Sequence, residues 1–234
     1  MTLYLTRARL KRDASIDALR EVLLPPGAHA RAAAAHRLVW ALFSDSPDRA
    51  RDFLWREIEP GAFLALSSRR PPESHALFEV DPPKEFAPNL QPGDQLAFSL
   101  RANATVAKKI EGKSRGKPCD VVMDALHNVP RGERASKRAD AITSAGRRWL
   151  ARQGESAGFS VRTDAEREED GSVRVTSYSV LRLPHRGAEM RLGVLDFEGI
   201  LTVVAPAVFL ASLARGFGRA KAYGCGLMLI RRAH

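Results

Sequence analysis

The sequence predicts an α+β protein built from two tandem βαββαβ units. Both halves of the chain contain short alternating or apolar segments typical of strands, and each half has a helix-forming segment among them. A stretch with four prolines, residues 81–94, separates the halves. We expect a first domain over residues 1–83, a linker over 84–94 and a second domain over 95–234.

In the first unit, local patterns define each element in chain order. Leu3–Leu10 alternates apolar and polar residues, which is typical of a strand. Ala28–Phe43 is rich in alanine and lacks glycine and proline, which predicts a helix. The segments Phe53–Ile58 and Ala62–Ser67 flank a Pro-Gly pair, which is typical of a hairpin. A short helix around Ser74–Leu77 and an extended run after it complete the order.

The second unit repeats this order with a longer first crossover. The crossover contains a glycine- and lysine-rich loop, Lys108–Lys117, and a basic helix, Glu133–Gln153, anchored by Trp149 and Leu150. The other predicted elements are a strand over Gln95–Asn103, a strand pair over Val173–Leu183 and Arg191–Val203, a helix over Pro206–Arg215 and a strand over Gly224–Arg232. Because each unit has the order βαββαβ, we expect two tandem ferredoxin-like domains.

The net charge of +10 is distributed unevenly along the chain. Residues 1–100 hold 13 basic and 13 acidic side chains, and residues 153–234 hold 11 basic and 9 acidic ones. Residues 101–152 hold 13 basic and 5 acidic side chains, so this segment alone has a net charge of +8. A concentrated basic segment favours a polyanionic partner, most often a nucleic acid, over a merely solvated surface.

Composition also limits the cellular compartments and the metal or disulfide chemistry that we expect for this protein. Two cysteines, Cys119 and Cys225, are too few for a disulfide framework or a four-thiolate zinc site, and no histidine pair has a recognised ligand spacing. The N-terminus shows no secretion signal, and the longest uncharged stretch, Gly199–Ala214, is shorter than the roughly 20 residues of a membrane-spanning helix. We therefore expect a soluble cytoplasmic protein that uses neither a metal ion nor a cofactor.

The first candidate catalytic residue is His36, which lies in the predicted helix directly before Arg37. An imidazole exchanges a proton near neutral pH and an adjacent cation attracts a phosphate, so the pair suits a reaction at a phosphodiester. A histidine that packs at the edge of a helical face is the competing interpretation. His29, seven residues earlier on roughly the same face, is a competing candidate.

A glycine-rich segment, residues 216–226, precedes the last predicted strand. It contains four glycines together with Arg219 and Lys221. Glycines let a backbone approach a ligand closely, and the two cations supply donors for phosphate oxygens. The segment joins a helix to a strand, which excludes the dinucleotide-binding fingerprint, where a strand leads into a helix. A plain helix-to-strand turn is the alternative interpretation.

Two further groups of basic residues suit the backbone of a nucleic acid. One is the end of a strand at residues 101–103 with the basic loop behind it, and the other is the turn within residues 182–191. A β-hairpin that carries arginines can enter a groove of structured RNA or bind its backbone. The alternative for each group is a solvated surface. The predicted RNA contacts are Arg101, Asn103, Lys108, Lys109, Lys113, Arg182, Arg186, Arg191, Gly216, Gly218 and Arg219.

Five segments in order resemble the CasE-type family of CRISPR precursor-RNA endoribonucleases of type I-E systems. They are His36-Arg37, residues 50–56, residues 98–103, residues 197–201 and the glycine-rich Gly216–Leu227. The resemblance covers nearly the whole chain and implies two ferredoxin-like domains of the RAMP superfamily. It also implies metal-independent cleavage of repeat RNA at the base of its stem-loop. In that reaction a 2′-hydroxyl attacks the phosphate and leaves a 2′,3′-cyclic phosphate and a 5′-hydroxyl.

The resemblance also assigns residues and partners. His36 matches the family's catalytic histidine, as general acid or base, and Arg37 and Lys221 are the cations expected to stabilise charge beside it. The implied partners are the repeat RNA hairpin, before and after cleavage, and the other subunits of the Cascade surveillance complex.

The chain departs from the family at Ala33, three residues before the histidine, where members carry a tyrosine. This departure gives weight to a second hypothesis, a non-catalytic scaffold that binds the RNA hairpin. A general RNA-binding module is a weaker alternative. Such modules stack bases on the aromatic side chains of a sheet, and only 7% of the residues here are aromatic.

Overall fold

The computed structural model describes residues 2–43, 50–109, 116–163, 173–185 and 188–233. These residues form two five-stranded antiparallel sheets and a separate two-stranded hairpin. Helices accompany both large sheets, so the predicted α+β class with two tandem units is confirmed. Among the described residues, no helix is both long enough and apolar enough to cross a membrane.

The first sheet is covered by one long helix. Its unit contains β1 (Tyr4–Leu10), α1 (Ala14–Ala18), α2 (Arg20–Leu23), α3 (Ala28–Phe43), β2 (Phe53–Glu59), β3 (Ala62–Ser67), β4 (Phe78–Val80) and β5 (Lys84–Glu85). The strand order is β2-β3-β1-β4, and β5 also pairs with β1. This order separates β1 from β2 by β3, as the split βαβ plan of a ferredoxin-like unit requires. The apolar side of α3, with Leu38, Val39 and Leu42, shares one buried core with Trp55 and Phe63 of the sheet.

The helix predicted around Ser74–Leu77 is wrong, because residues 74–77 form an irregular segment. Four residues are about one helical turn, and a helix that short gains too few hydrogen bonds to offset the cost of nucleation. The segment is held by His75 instead. Its Nε2 lies 3.1 Å from the carbonyl oxygen of Ala41, and its Nδ1 accepts a hydrogen bond of 3.1 Å from the N–H of Leu77.

The second unit repeats the strand order of the first. Its elements are β6 (Gln95–Ala102), β7 (Thr105–Lys108), β8 (Lys117–Asp120), α4 (Val121–Ala125), α5 (Arg138–Ala157), β9 (Phe159–Val161), β10 (Arg174–His185), β11 (Ala188–Val203), α6 (Pro206–Arg215) and β12 (Met228–Arg232). In the order β10-β11-β6-β12, β11 lies between β6 and β10, just as β3 lies between β1 and β2 in the first sheet. Strand β9 pairs with the C-terminal end of β11. Strands β7 and β8 form the hairpin on either side of the basic loop.

The basic helix α5 begins later and ends later than the sequence predicts. A short 3₁₀ turn, Arg131–Glu133, stands where the helix was expected to begin. The helix continues to Ala157 because Gly158, with a φ of 77°, supplies its left-handed end. Trp149 and Leu150 are buried, as expected for its apolar anchors.

The two units contact each other through apolar and polar groups. Leu54 of β2 and Leu66 of β3 pack against Leu227, which precedes β12, in one buried cluster. Arg56 in β2 donates a hydrogen bond of 2.8 Å from Nη1 to Ser99 Oγ in β6. The predicted linker also belongs in part to the first sheet, since β5 pairs with β1.

Candidate active site at the junction of the units

His36 lies on α3 where this helix meets the glycine-rich segment of the second unit. Its ring is 5.5 Å from the ring of Tyr223, measured between centroids, and 6.3 Å from that of Trp40 one turn further along α3. His36 is half-buried, and its Nδ1 is buried without a hydrogen-bond partner among the described residues. The histidine therefore faces a second-unit aromatic ring across the junction.

The glycines let this segment lie directly against the first unit. A Cβ atom added at Gly216 would lie 2.7 Å from Cδ1 of Leu54, and one at Gly224 would lie 3.1 Å from the ring of Trp55. Both positions also have a positive φ, which favours glycine. The atoms that these two glycines approach belong to β2, so both serve the packing of the two units, and close approach of the segment to a ligand stays a prediction.

A short strained turn carries the residues nearest to His36. The 3₁₀ turn Lys221–Tyr223 follows Ala220, which has a φ of 53° and is the one non-glycine residue with a positive φ in the described ranges. Such a backbone costs roughly 1–3 kcal/mol and persists only where the surroundings fix it. Here the N–H of Tyr223 donates to the carbonyl of Ala220 at 2.9 Å. The turn is thus held in a defined position.

The surroundings of His36 favour its neutral form. Burial lowers the pKa of the His36 imidazole below the ordinary 6.5, the backbone of Ala222 beside the ring raises it, and the nearby cations Arg51 and Arg37 lower it further. The net direction is downward. The site therefore favours the neutral ring, which is the form that can accept a proton.

Two cations, Arg37 and Arg51, act electrostatically on the histidine, and a third, Lys221, lies in the turn that carries Tyr223. Arg37 and Arg51 are exposed, and Lys221 is half-buried. Burial lowers the pKa of Lys221, and the charges of Arg51 and Arg215 lower it further. The Lys221 Nζ donates a hydrogen bond of 2.7 Å to the carbonyl oxygen of Arg215. Such a group of cations attracts a phosphate.

A cavity of about 460 Å³ lies between the two units next to this site. Tyr223 forms part of its wall, with Arg31 of α3, Arg56 of β2 and Arg101 of β6. Asp196 of β11 also lines it and accepts a hydrogen bond of 2.9 Å from Arg101. Three guanidinium groups and the side of Tyr223 therefore line the same cavity.

The structure gives the two predicted contacts at the end of β6 different roles. Arg101 lines the cavity, although its charge is partly neutralised by Asp196. Asn103 is buried, and its Nδ2 donates a hydrogen bond of 2.6 Å to the carbonyl oxygen of Gly193. Its own carbonyl accepts from the N–H of Arg219 at 3.2 Å. Asn103 therefore anchors the glycine-rich segment, and its contact with RNA stays a prediction.

Several other predicted contacts are exposed but already have an acidic neighbour. Lys108 pairs with Asp124, and a hydrogen bond to this carboxylate raises the pKa of Lys108. Arg191 donates from Nε to Glu189 at 2.6 Å, and Arg182 Nη1 lies 4.0 Å from the same carboxylate.

The remaining predicted contacts fall into three groups. Lys109 and Arg219 are exposed. Gly218 packs against the backbone of Asn103, where a Cβ atom would lie 2.8 Å from the Asn103 carbonyl oxygen. The RNA contacts of Gly216 and Gly218 stay predictions. Lys113 and Arg186 lie outside the described residues.

The competing histidine candidate does not join the site. His29 is exposed, and its Nδ1 accepts a hydrogen bond of 3.0 Å from the backbone N–H of Arg182, which links α3 to β10. Within the part of the chain that the structure describes, no group of three or more histidine, cysteine, aspartate or glutamate side chains is arranged to hold a metal ion.

Sequence reasoning missed two residues of the site, Tyr223 and Arg51. Tyr223 lies within the glycine-rich segment, but only the fold brings position 223 next to position 36. Arg51 lies two residues before β2, and the fold brings its charge close enough to lower the pKa of His36. The local sequence does not predict that either Tyr223 or Arg51 lies close to His36.

The fold and the site define a tandem ferredoxin-like protein with a phosphate-attracting histidine at the junction of its domains. A family described as "CRISPR associated protein" matches residues 3–232. The Cascade subunit CasE of Escherichia coli (strain K12) is 30% identical over 202 residues, which cover 82% of this chain and 88% of CasE. The endoribonuclease Cse3 of Thermus thermophilus is 30% identical over 208 residues, which cover 83% of this chain and 87% of Cse3. The chain belongs to this family of CRISPR-associated proteins.

Solved structures agree with this assignment. Thermus thermophilus Cse3 bound to an RNA that represents a pre-cleavage complex superposes with a TM-score of 0.65 at 28% identity, over 99% of this chain and 100% of that one. The CRISPR-associated protein Cas6e of Escherichia coli K-12 shares the fold, with a TM-score of 0.59 over 98% of this chain and all of that one.

Proposed function

We propose that the protein is a metal-independent endoribonuclease that cleaves CRISPR repeat RNA at the base of its stem-loop. The reaction is an attack by the 2′-hydroxyl on the adjacent phosphate, which produces a 2′,3′-cyclic phosphate and a 5′-hydroxyl. The protein then stays bound to the mature RNA hairpin as a subunit of Cascade. No cofactor takes part in this reaction.

The observation that carries this proposal is the environment of His36. A half-buried imidazole with a lowered pKa stands at the junction of two domains, within the electrostatic influence of Arg37 and Arg51 and next to the turn that carries Lys221. A neutral imidazole accepts a proton, and the cations attract a phosphodiester. Relatives named CasE and Cse3, one of them an endoribonuclease, support RNA as the substrate.

In the proposed reaction, His36 acts as the general base. Its lowered pKa keeps the ring neutral at neutral pH, so that it can take the proton of the attacking 2′-hydroxyl. Arg37, Arg51 and Lys221 then stabilise the negative charge that develops on the phosphate oxygens as phosphorus becomes five-coordinate. General acid–base help of this kind typically contributes 10²–10⁴-fold to a rate.

Binding of the hairpin is assigned to cations of the second unit. The segment 101–152 has a net charge of +8, and Lys109 and Arg219 are exposed. Phosphate contacts of this kind supply affinity and register without reading sequence. A strong electrostatic hold on the product agrees with a protein that remains on the hairpin in a complex.

A non-catalytic scaffold of the same complex is the second candidate. Two observations favour it: Ala33 stands where the family has a tyrosine, and the ring of His36 packs beside Trp40 and Tyr223. A scaffold would bind the hairpin and leave the RNA intact.

Product analysis distinguishes the two candidates. The wild-type protein is incubated with the repeat RNA of the CRISPR array from the same genome, with and without EDTA, and the RNA ends are determined by mass spectrometry. We expect one cut with a 2′,3′-cyclic phosphate in both conditions. Intact RNA bound by the protein would support the scaffold, and cleavage that EDTA abolishes would contradict the mechanism.

A further inference from the structure

Cleavage by a 2′-hydroxyl needs two proton transfers. One group accepts the proton of the attacking hydroxyl, and another donates a proton to the 5′-oxygen that leaves. The proposed function assigns the first role to His36 and leaves the second without a residue. The inference in this subsection rests on that proposed function and concerns the missing proton donor.

Most groups near His36 are poor proton donors. The guanidinium groups of Arg37 and Arg51 remain protonated in proteins and act as fixed charges. Lys221 is a stronger candidate, but its Nζ already donates to the carbonyl oxygen of Arg215 at 2.7 Å, which holds the ammonium toward the end of α6. Among the described side chains, Tyr223 also places an acidic proton beside the imidazole, since its phenol is a far stronger acid than the indole N–H of Trp40.

Tyr223 lies beside the histidine and also lines the cavity between the units. Its ring lies 5.5 Å from the ring of His36, with an angle of 44° between the ring planes, and it also forms part of the wall of the cavity between the units. It is half-buried, and its turn is fixed between the strained Ala220 and Gly224, which lies against Trp55. A phenol is protonated at neutral pH and is both a donor and an acceptor.

We infer that Tyr223 is the general acid of the cleavage reaction. As His36 takes the proton of the 2′-hydroxyl, the 2′-oxygen forms a bond to phosphorus and the bond between phosphorus and the 5′-oxygen breaks. The phenol proton of Tyr223 passes to that 5′-oxygen, which leaves as a hydroxyl. The phenolate then regains a proton from the imidazolium through water, so the enzyme returns to its starting state.

A sulfur substitution at the leaving atom tests this role directly. After the cut is mapped with natural RNA, the same repeat RNA is synthesised with sulfur in place of the bridging 5′-oxygen. A thiolate is a good leaving group and does not need a proton, so loss of the general acid should no longer matter. Single-turnover rates are measured for wild type, Tyr223→Phe, Lys221→Met and the control Tyr4→Phe on both RNAs.

The expected pattern is specific to one residue. Tyr223→Phe should lose about 10²-fold on natural RNA and cleave the sulfur-containing RNA within about threefold of wild type. Lys221→Met should be slow on both RNAs, because a charge that stabilises the phosphate is needed in either case. Tyr4→Phe, which removes a phenol from β1 of the first sheet, should match wild type on both.

Three results would overturn the inference. The first is a Tyr223→Phe variant that cuts natural RNA at the wild-type rate. The second is a Tyr223→Phe variant that is equally slow on both RNAs. The third is that the sulfur-containing RNA restores the rate of Lys221→Met and not that of Tyr223→Phe. Failure of the wild-type protein to cut natural RNA would instead refute the proposed function itself. Thermal unfolding of each variant verifies that the compared proteins are folded.

Discussion

The two units of the molecule carry their charge in different ways. Residues 1–100 have no net charge, whereas residues 101–152 have a net charge of +8. In the second unit, however, Lys108, Arg101 and Arg191 are each close to a carboxylate. Around His36, the described ion pairs include neither Arg37 nor Arg51.

This difference shows that the net charge of a unit and the local charge at one site have separate roles, the first in attracting RNA and the second in stabilising charge on a phosphate. In the proposed function, the large net charge attracts an RNA to the second unit from a distance, and the exposed cations of this unit bind its backbone. A small group of cations without carboxylates stabilises charge at one phosphate. The account therefore separates binding, mainly in the second unit, from chemistry, centred on His36 of the first.

The largest expected effect is that of His36→Ala. Removal of the general base should lower the single-turnover cleavage rate by roughly 10²–10⁴-fold, while the Kd for the hairpin should change by less than about twofold. Gel-based cleavage and fluorescence anisotropy measure the two quantities. His29→Ala is the matched control, because it lies on the same helix outside the site, and it should cleave normally. Cleavage by His36→Ala at the wild-type rate would refute the role of His36 as the general base.

The next effect concerns the contact that brings the units together. Gly224→Ala places a methyl group 3.1 Å from the Trp55 ring at a φ of 74°, so we expect a loss of roughly 1–3 kcal/mol in the free energy of unfolding, and slower cleavage. Gly132→Ala is the control, because its added methyl group meets nothing within 4 Å. Equal urea midpoints for the two variants would contradict the packing role.

The pH dependence of cleavage should follow His36. Its neutral form is the base, and its pKa is lowered by burial and then by Arg51 and Arg37, with Ala222 acting in the opposite direction. The single-turnover rate at subsaturating protein, which reports the free enzyme, should therefore rise with pH and level off with a midpoint below 6.5, the ordinary pKa of histidine. Stability follows the same sign: the contribution of neutral His36 is full above pH 6.5 and is lost as the pH falls through the lowered pKa. A rate midpoint above 6.5 would refute this prediction.

The smallest effects are expected for single cations of the second unit. Lys109→Ala should weaken hairpin binding a few-fold and reduce the slope of log K against log salt by about one, since one phosphate contact is lost. Lys108→Ala should do less, because this lysine already pairs with Asp124. Anisotropy titrations at four salt concentrations compare the two. A larger change for Lys108→Ala would show that the ion pair with Asp124 does not weaken its contact with RNA.

The parts of the fold that depend on local pattern could be predicted from the sequence. The helix Ala28–Phe43 and the strand Ala62–Ser67 have the predicted bounds, because alanine content and a Pro-Gly turn act over a few residues. The segment 74–77 could not be predicted, because its conformation depends on His75 reaching Ala41, 34 residues away in sequence.

The site shows the same division. His36 and the glycine-rich segment are visible in the sequence, but their meeting is a tertiary event, and so Tyr223 and Arg51 were not found. The packing role of Gly224 could not be predicted either, since only the fold shows that this residue faces Trp55. Exposed cations cannot be distinguished from paired ones without the positions of Asp124, Glu189 and Asp196.

The separation of binding from chemistry is tested most directly by one paired measurement. The hairpin Kd and the single-turnover rate at saturating protein are determined for His36→Ala and for the double variant Lys109→Ala/Arg219→Ala on the same repeat RNA. The account predicts opposite patterns: His36→Ala keeps its Kd and loses its rate, and the double variant loses affinity and keeps its saturated rate. Two variants that each change both quantities together would contradict it.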